Sequence, residues 1–193
     1  IIFRDYFSDF LKLVRKDFSG FCFTTIIDFR KDDFRDSVDL AIKQGASGIK
    51  FHSYIQRISR DDFKQVAIAA NYVAKLGLFL CIDTSYGASG MYEYDNLMLA
   101  SALCEDIDDV PIILLHSGGA RVIEAMLLAE DKENIYLETS FSLPYFSGSS
   151  IEQDFAFAYK NPDRTIRKPK DSTFLILWFI APCYLYSAIY TLF

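Results

Sequence analysis

Short apolar runs alternate with segments of helical periodicity along most of the chain. The clearest run, PIILL at 111–115, has no polar alternation and leads directly into His116. An unalternating run of this kind is typical of a strand that is covered on both faces, as in a parallel sheet. Runs rich in β-branched and aromatic residues extend the pattern. Strands are predicted at 21–29, 47–52, 78–83, 111–116 and 135–140.

The segments between these runs carry apolar residues at spacings of three and four, which predicts amphipathic helices. Gly45 and Gly77 are suitable helix stops, and Asp32 or Asp33 can cap the helix that follows the first strand. Ser59, with Asp62 three residues later, resembles a capping box. Helices are predicted at 5–18, 33–44, 59–76, 93–105, 120–130 and 151–161.

The predicted strands end in polar residues at a regular interval of 22 to 33 residues. This interval is close to the length of one βα unit, about 30 residues. The pattern predicts an α/β fold, a partial (β/α)8 TIM-like barrel of about five to six βα units, because a complete barrel needs about 250 residues. An open doubly wound sheet is the alternative. The strand-end residues are Asp28, His52, Asp83, His116 and Glu138.

The C-terminal part has a different composition. Residues 172–193 contain no charged residue, and about 20 apolar residues are enough to span a bilayer. We therefore divide the chain into a partial barrel domain at 1–165 and an apolar tail at 166–193. Three interpretations of the tail are open: a membrane anchor flanked by Lys168 and Lys170, a strand–helix unit of the barrel, or a segment translated out of frame.

The overall composition narrows the class of partner. The hydrophobic content of 51% is that of a globular protein, and the net charge of -6 argues against a nucleic-acid partner. The four cysteines show no C-x-x-C spacing, so we expect a reduced, cytoplasmic protein. The chain starts without Met or a signal-peptide layout, which we interpret as a missing beginning. Open sheet edges would favour homo-oligomers.

Several of the strand-end residues are suited to chemistry. Lys50 and His52 alternate along one strand and share a face, while Asp83 and His116 end the next two strands. In a barrel these side chains would converge at the carboxyl-end mouth, where barrel active sites lie. Imidazole and carboxylate ligands suit zinc, with manganese as the alternative. A bound metal would activate water for attack on a small ester, lactone or amide.

Four stretches together carry a resemblance to a known family. GASGIKFHSYIQ, LFLCIDTS, PIILLHSGG and NIYLETS are similar, in this order, to the amidohydrolase-related family of metal-dependent hydrolases, whose barrel members also include decarboxylases. The resemblance implies that His116 is a metal ligand or the acid–base histidine beside the metal. It also implies that Lys50 matches a metal-bridging carboxylated lysine and that His52 is a substrate-side histidine.

The resemblance has departures. A His-x-His pair on the family's first strand has no counterpart before residue 21, and Asp83 stands where relatives carry a histidine. The late Gly-(Ser/Thr)-Asp-x-Pro stretch is also missing. We predict His116 as the catalytic residue. The predicted metal ligands are His116, Lys50 and Asp83, and the predicted substrate-binding residues are His52, Gly118 and Ser140.

The predicted function is that of a metal-dependent hydrolase of a small molecule, and other readings of the same residues remain open. Lys50 could form a Schiff base in an aldolase, or the chain could be a non-catalytic remnant with a scaffold role. Lys50 and Asp83 could also be a purely structural ion pair. Glu138 is interpreted as part of a polar network.

Overall fold

The computed structural model of this chain describes residues 21–86 and 93–160, and the backbone of 175–178. In this part of the chain, six strands form one sheet in which every neighbouring pair is parallel. The strands are β1 (Phe21–Ile26), β2 (Gly48–Phe51), β3 (Phe79–Asp83), β4 (Ile112–Leu115), β5 (Ile135–Glu138) and β6 (Leu175–Trp178).

Helices connect these strands, as the periodicity predicts. Two of them, at Ser53–Gln56 and Ser142–Tyr145, are single turns that the sequence pattern does not indicate. The helix predicted at 5–18 lies outside the described residues. The helices are α1 (Phe34–Lys43), α2 (Ser53–Gln56), α3 (Phe63–Lys75), α4 (Asn96–Leu103), α5 (Val122–Asp131), α6 (Ser142–Tyr145) and α7 (Ser150–Tyr159), with 3₁₀ turns at Arg60–Asp62 and His116–Arg121.

The order of the strands separates the two predicted architectures. Neighbours in the sheet run β5-β4-β3-β2-β1-β6, so the first five strands lie side by side in chain order. A doubly wound sheet reverses its strand order at a switch point, whereas a TIM barrel adds each strand beside the previous one. The five βα units therefore have the arrangement of a barrel segment.

The sixth strand belongs to the apolar tail. The backbone of β6 pairs with β1, with Phe21 opposite Leu175, on the side of β1 away from β2. Of the three interpretations of the tail, the one that places a strand of the barrel there agrees with the structure of 175–178. The rest of 166–193 lies outside the described residues, and the boundary at 165 stays a prediction. None of the helices in the described residues is long and apolar enough to cross a bilayer.

The register of the strands assigns each residue to one face of the sheet. Lys50 is opposite Cys81, and Asp83 is opposite Leu115, which is opposite Glu138. Residues in register share a face, so these side chains lie on the same inner face. The alternate positions are buried on the other face, beneath the helices: Ile49, Phe51, Leu80, Ile82, Ile112 and Leu114.

The helices cover that second face with apolar stripes. In α3 the buried positions include Val66, Ala70 and Val73, and in α1 they include Phe34 and Val38, at the spacing of one helix face. The predicted capping box is present, since the Asp62 carboxylate accepts from the Ser59 backbone N–H at 2.9 Å. It closes the 3₁₀ turn that leads into α3.

The approach of β2 to β3 depends on one glycine. A Cβ at Gly48 would lie 2.6 Å from Cδ2 of Phe79 and 2.7 Å from the Phe79 carbonyl oxygen. The backbone oxygen cannot move aside without disturbing the β2–β3 pairing, so the position requires glycine.

We expect Gly48→Ala to lower the free energy of unfolding by about 1–3 kcal/mol, the usual cost of overpacking a core. Ser47→Ala, one residue earlier, should change it by less than about 0.5 kcal/mol. Urea unfolding followed by circular dichroism measures both values. Equal stability of the two variants would contradict the close packing at Gly48.

Candidate active site

A buried carboxylate lies at the carboxyl end of β3. Oδ2 of Asp83 accepts from Nζ of Lys50 at 2.8 Å. Oδ1 accepts from the Ser85 hydroxyl at 2.6 Å and from the Ser85 backbone N–H at 3.3 Å. The side chains of Lys50 and Asp83 are only 4% and 3% exposed. The ion pair that the sequence leaves as an alternative is therefore present and almost entirely shielded from water.

Both histidines of the chain reach this carboxylate. Nε2 of His52 lies 3.4 Å from Oδ2 of Asp83, and Nε2 of His116 lies 3.5 Å from the same oxygen. The imidazoles are 15% and 14% exposed, whereas the carboxylate and the ammonium lie deeper. The structure thus brings Lys50, His52, Asp83 and His116 together, and a molecule that approaches from solvent would meet the imidazoles first.

The chain turns sharply after His116. His116, Ser117, Gly118 and Gly119 all have positive φ, between 49° and 79°. Glycine adopts this region freely, but it is uncommon for other residues. A Cβ at Gly119 would be 2.5 Å from the backbone nitrogen of Tyr86, so the turn is packed directly against the loop after β3.

Hydrogen bonds fix this turn to the neighbouring strands. The hydroxyl of Thr84 donates to the carbonyl of Leu115 at 2.6 Å and accepts from the backbone N–H of Gly118 at 2.8 Å. The hydroxyl of Ser117 donates to the Glu138 carbonyl at 2.8 Å and is hydrogen-bonded to the Tyr159 hydroxyl. Gly118, a predicted substrate-binding residue, therefore already uses its N–H within the protein, and its substrate role stays a prediction.

The histidine is held by three consecutive residues that follow β5. We call them the His116 clamp: Ser140, Phe141 and Ser142. Nδ1 of His116 donates to the Ser140 carbonyl at 2.7 Å, with this nitrogen taken as the protonated one because a carbonyl can only accept. The Ser142 hydroxyl donates to the His116 carbonyl at 2.7 Å. The Phe141 ring meets the imidazole edge to face, with centroids 6.0 Å apart. The clamp orients Nε2 towards Asp83.

The clamp contains a strained backbone. Phe141 has φ 65° and ψ -42°, and the Ser142 N–H donates to the Ser140 carbonyl at 2.7 Å. This is a γ-turn of the rare positive-φ kind, which costs about 1–3 kcal/mol in a non-glycine residue. The Ser140 carbonyl is thereby pinned where it accepts from both Ser142 and His116. Nothing in the sequence around Phe141 indicates this turn, because glycine is its usual signal.

Ser140 has further partners in Glu138. Oε1 of Glu138 accepts from the Ser140 N–H at 2.6 Å, and Oε2 accepts from the Ser140 hydroxyl at 2.7 Å. Oε2 also accepts weakly from the backbone N–H of His116 at 3.4 Å. Glu138 has the network role that the sequence suggests. Ser140 lies beside His116, and its assignment to substrate binding stays a prediction.

The comparison with protein families agrees with this geometry. The amidohydrolase family model matches residues 2–168, most of the chain. The chain belongs to the amidohydrolase family. No curated protein sequence matches it.

A solved structure has the same fold. It is an uncharacterized TIM-barrel protein from Bordetella bronchiseptica, with a TM-score of 0.66 and 16% sequence identity over 82% of this chain. The likeness confirms the predicted partial TIM-barrel fold. The matched region spans 57% of the length of that structure.

Members of the amidohydrolase family generally use divalent metals, so the donors at Asp83 must be compared with such a site. Two ligands of a tetrahedral zinc, each about 2.0–2.1 Å from the metal, lie about 3.3 Å apart. Oδ2 of Asp83 lies 3.4 Å from Nε2 of His52 and 3.5 Å from Nε2 of His116. The types of these atoms and the distances between them agree with two ligands of one zinc ion.

The set is not complete, however. Within 21–86 and 93–160, no three His, Cys, Asp or Glu side chains are arranged to hold a metal together. The Lys50 ammonium also donates to the oxygen that a metal would use. This part of the amidohydrolase chain therefore supplies a pair of donors, Asp83 and one imidazole. Lys50 as a ligand stays a prediction, because an ammonium has no lone pair to offer.

The charges of the cluster are set by burial and by Asp83. Burial alone would raise the pKa of Asp83, but the Lys50 ammonium outweighs it and holds the pKa well below its usual range. Burial lowers the pKa of Lys50, against the opposing effect of Asp83. Burial likewise lowers the pKa of His52 to about 4. At His116 the hydrogen bond and charge of Asp83 outweigh burial and raise the pKa.

The two histidines also differ in the contacts of their second ring nitrogens. Nδ1 of His116 donates to the Ser140 carbonyl, which favours the protonated ring. Nδ1 of His52 is buried and has no hydrogen-bond partner among the described residues. At neutral pH the cluster therefore holds a neutral His52 and a His116 that is more readily protonated.

We expect the two imidazoles to titrate separately, His52 near pH 4 and His116 above its ordinary pKa of 6.5. The chain has only two histidines, so NMR titration of the ring signals resolves them directly. Between pH 6.5 and 4, His52 is protonated in the unfolded chain but neutral in the folded one. The contribution of His52 to the free energy of unfolding therefore falls as the pH falls. The contribution of His116 has the opposite sign and is lost as the pH rises through its raised pKa.

Asp83→Asn should lower the pKa of His116, because it removes the nearby negative charge. Asp39→Asn, on the exposed side of α1, is the matched control and should leave the pKa unchanged. A His116 pKa that does not respond to the change at Asp83 would refute the proposed coupling.

Breaking the ion pair should be costly because it leaves one buried charge. We expect Lys50→Met to lower the free energy of unfolding at pH 7 by about 3–5 kcal/mol. The double variant Lys50→Met/Asp83→Leu should recover a large part of this loss, since it removes both charges. Denaturant unfolding of Lys50→Met, Asp83→Leu and the double variant gives the coupling free energy between the two residues. Additive effects would show that the two groups do not interact.

Proposed function

We propose that the chain carries the acid–base centre of a metal-dependent hydrolase that acts on a small ester, lactone or amide. The observation that carries the proposal is the pairing of His116 Nε2 with the Asp83 carboxylate, at the carboxyl edge of a parallel sheet in an amidohydrolase chain. Barrel enzymes place their catalytic groups at this edge. Membership of the family supports a hydrolase-type function.

His116 is suited to move a proton. Its ring is fixed by the Ser140 carbonyl through Nδ1, so Nε2, which faces Asp83, is the nitrogen that would exchange a proton with a substrate or a water molecule. The raised pKa lets the ring hold a proton near neutral pH and return it to a leaving oxygen or nitrogen. In this role His116 acts as the general acid and base of the reaction.

Lys50 and His52 complete the environment on this chain. The Lys50 ammonium keeps the Asp83 carboxylate ionised in a buried place. His52 is neutral, and its partly exposed imidazole lies beside His116, where it can act as a donor to a metal. The ion pair occupies the Lys50 amine, so the geometry does not favour a Schiff-base aldolase.

The metal of this hydrolase would be held on this chain by Asp83 together with the neutral imidazole of His52, because Nε2 of His116 cannot bind a metal and exchange a proton at the same time. We propose zinc, with manganese as the alternative. Oxygen and imidazole donors suit both ions. A metal held there would lower the pKa of a bound water and so supply a nucleophile at neutral pH. Any ion at Asp83 competes with Lys50 for Oδ2, so the affinity for metal should depend on both residues.

We also propose a cytoplasmic location. Cys22, Cys81 and Cys104 are free thiols in the described residues, which supports a reducing compartment. Burial raises the pKa of Cys81 and of Cys104 to about 12, so neither is a reactive thiolate at neutral pH.

The proposal is tested with the 193-residue chain, loaded with Zn²⁺ or Mn²⁺ and offered a panel of esters, lactones and anilides. His116→Gln should lower kcat by about 10²- to 10⁴-fold, the usual loss for an acid–base residue. Lys75→Ala, on the exposed side of α3, should have the activity of the unchanged chain.

Calorimetric titration with Zn²⁺ separates the metal from the chemistry. We expect saturable binding to the unchanged chain, and weaker binding to Asp83→Asn and to His52→Gln than to Lys75→Ala. Hydrolysis that is equally fast in His116→Gln would refute the acid–base role. Zinc binding that is equally tight in Asp83→Asn would refute the metal site.

A further inference from the structure

Two exposed aromatic rings stand beside the acid–base histidine. We call Phe141 and Tyr145 the aromatic shelf. Their side chains are 49% and 55% exposed, and their rings are stacked with centroids 5.1 Å apart and planes 25° from parallel. Large apolar side chains with half of their surface in solvent gain little from folding. Their place next to His116 needs another explanation.

The shelf is continuous with the candidate active site. The Phe141 ring meets the His116 imidazole edge to face at 6.0 Å, and that imidazole is itself partly exposed. Both rings follow β5 at the carboxyl edge of the sheet, where barrel enzymes bind their substrates. A ligand whose reacting carbonyl reaches Nε2 of His116 would have its adjoining group close to the shelf.

The backbone at Phe141 supports a role outside the folded core. Phe141 is the centre of the positive-φ γ-turn, a conformation that glycine would adopt without strain. The strain comes from the Cβ atom, and the ring that this atom carries remains half exposed, so burial within the protein does not compensate for the strain. Strain of this kind is concentrated at ligand-binding and catalytic positions.

A row of rings supports the shelf from behind. Tyr145 meets Phe146 at 4.9 Å, and Phe146 stacks at 6.3 Å on the buried Phe155, which stacks at 6.4 Å on Tyr159. The Tyr159 hydroxyl is bonded to Ser117, in the turn that carries His116. The shelf and the histidine are therefore parts of one connected packing unit, which fixes the distance between them.

We propose that the aromatic shelf binds a flat, unsaturated ring that adjoins the scissile carbonyl, so that the substrates are aromatic or conjugated esters, lactones or amides. This rests on the proposed hydrolase function, which it narrows to a substrate class. A planar ring can pack against the exposed part of the stacked Phe141–Tyr145 pair, whereas a saturated ring of the same size is not flat and lacks the π-system that such contacts use.

The experiment compares two probes of similar size on the full chain, benzamide and cyclohexanecarboxamide. They share the amide group and differ only in the planarity and unsaturation of the ring. Saturation-transfer NMR and the shift of the His116 ring signals measure binding without turnover. We expect benzamide to bind about 2- to 10-fold more tightly, the range that one aromatic contact gives.

The variants are matched to the shelf. Phe141→Leu keeps the strained backbone and the apolar bulk but removes the ring, and Tyr145→Leu does the same for the second ring. Both should abolish the preference for benzamide. Tyr145→Phe restores the ring and should keep the preference. Phe157→Leu removes an equally exposed aromatic residue on α7 and should also keep it.

Three outcomes would each overturn the assignment of the shelf. They are the absence of saturable benzamide binding, equal affinity for the two probes, and a preference for benzamide that remains in Phe141→Leu and Tyr145→Leu. Because the readout is binding, a chain that prefers benzamide but hydrolyses nothing would refute the hydrolase and leave the shelf standing. A chain that hydrolyses saturated and aromatic esters equally, without the preference, would refute the shelf alone.

Discussion

The site depends on keeping the Asp83 carboxylate ionised where little water reaches it. An isolated buried carboxylate is costly, and it is tolerated only with an opposite charge and hydrogen bonds close by. Lys50 provides the charge from the neighbouring strand, and Ser85 covers the second oxygen. The pairing of β2 with β3 thus determines both the sheet and the charge state of the site, because a register slip of one residue would turn Lys50 to the other face.

The same carboxylate gives the two histidines different properties. Both Nε2 atoms face Oδ2 of Asp83 at nearly equal distances, yet the pKa of His52 is lowered and that of His116 is raised. At His116 the hydrogen bond and charge of Asp83, helped by the Ser140 carbonyl, outweigh burial, whereas at His52 burial prevails and the Lys50 ammonium adds to it. The surroundings of each ring therefore decide which imidazole acts as an acid and base. Neighbouring strands β2 to β5 each contribute one part of the site.

Much of this could be predicted from the sequence. Unbroken apolar runs indicate parallel strands, and parallel strands end at one edge, so polar residues that follow such runs must lie near each other. That reasoning was enough to bring Lys50, Asp83 and His116 together. The His116 clamp could not be predicted, because a phenylalanine at the centre of a γ-turn carries no sequence signal. The N-cap of α1 shows the limit of local rules: Asp33 occupies it without a side-chain hydrogen bond to the helix.

The pairing of β6 with β1 has a consequence for how the sheet opens. The other strand pairs join residues 23 to 32 positions apart, whereas β6 reaches β1 from about 150 residues away. Closing the longer loop costs about 1.5 kcal/mol more in chain entropy. The C-terminal strand should therefore be the first to detach under mild denaturation. Its departure uncovers the backbone donors and acceptors of β1, a free template on which a strand from another molecule can add.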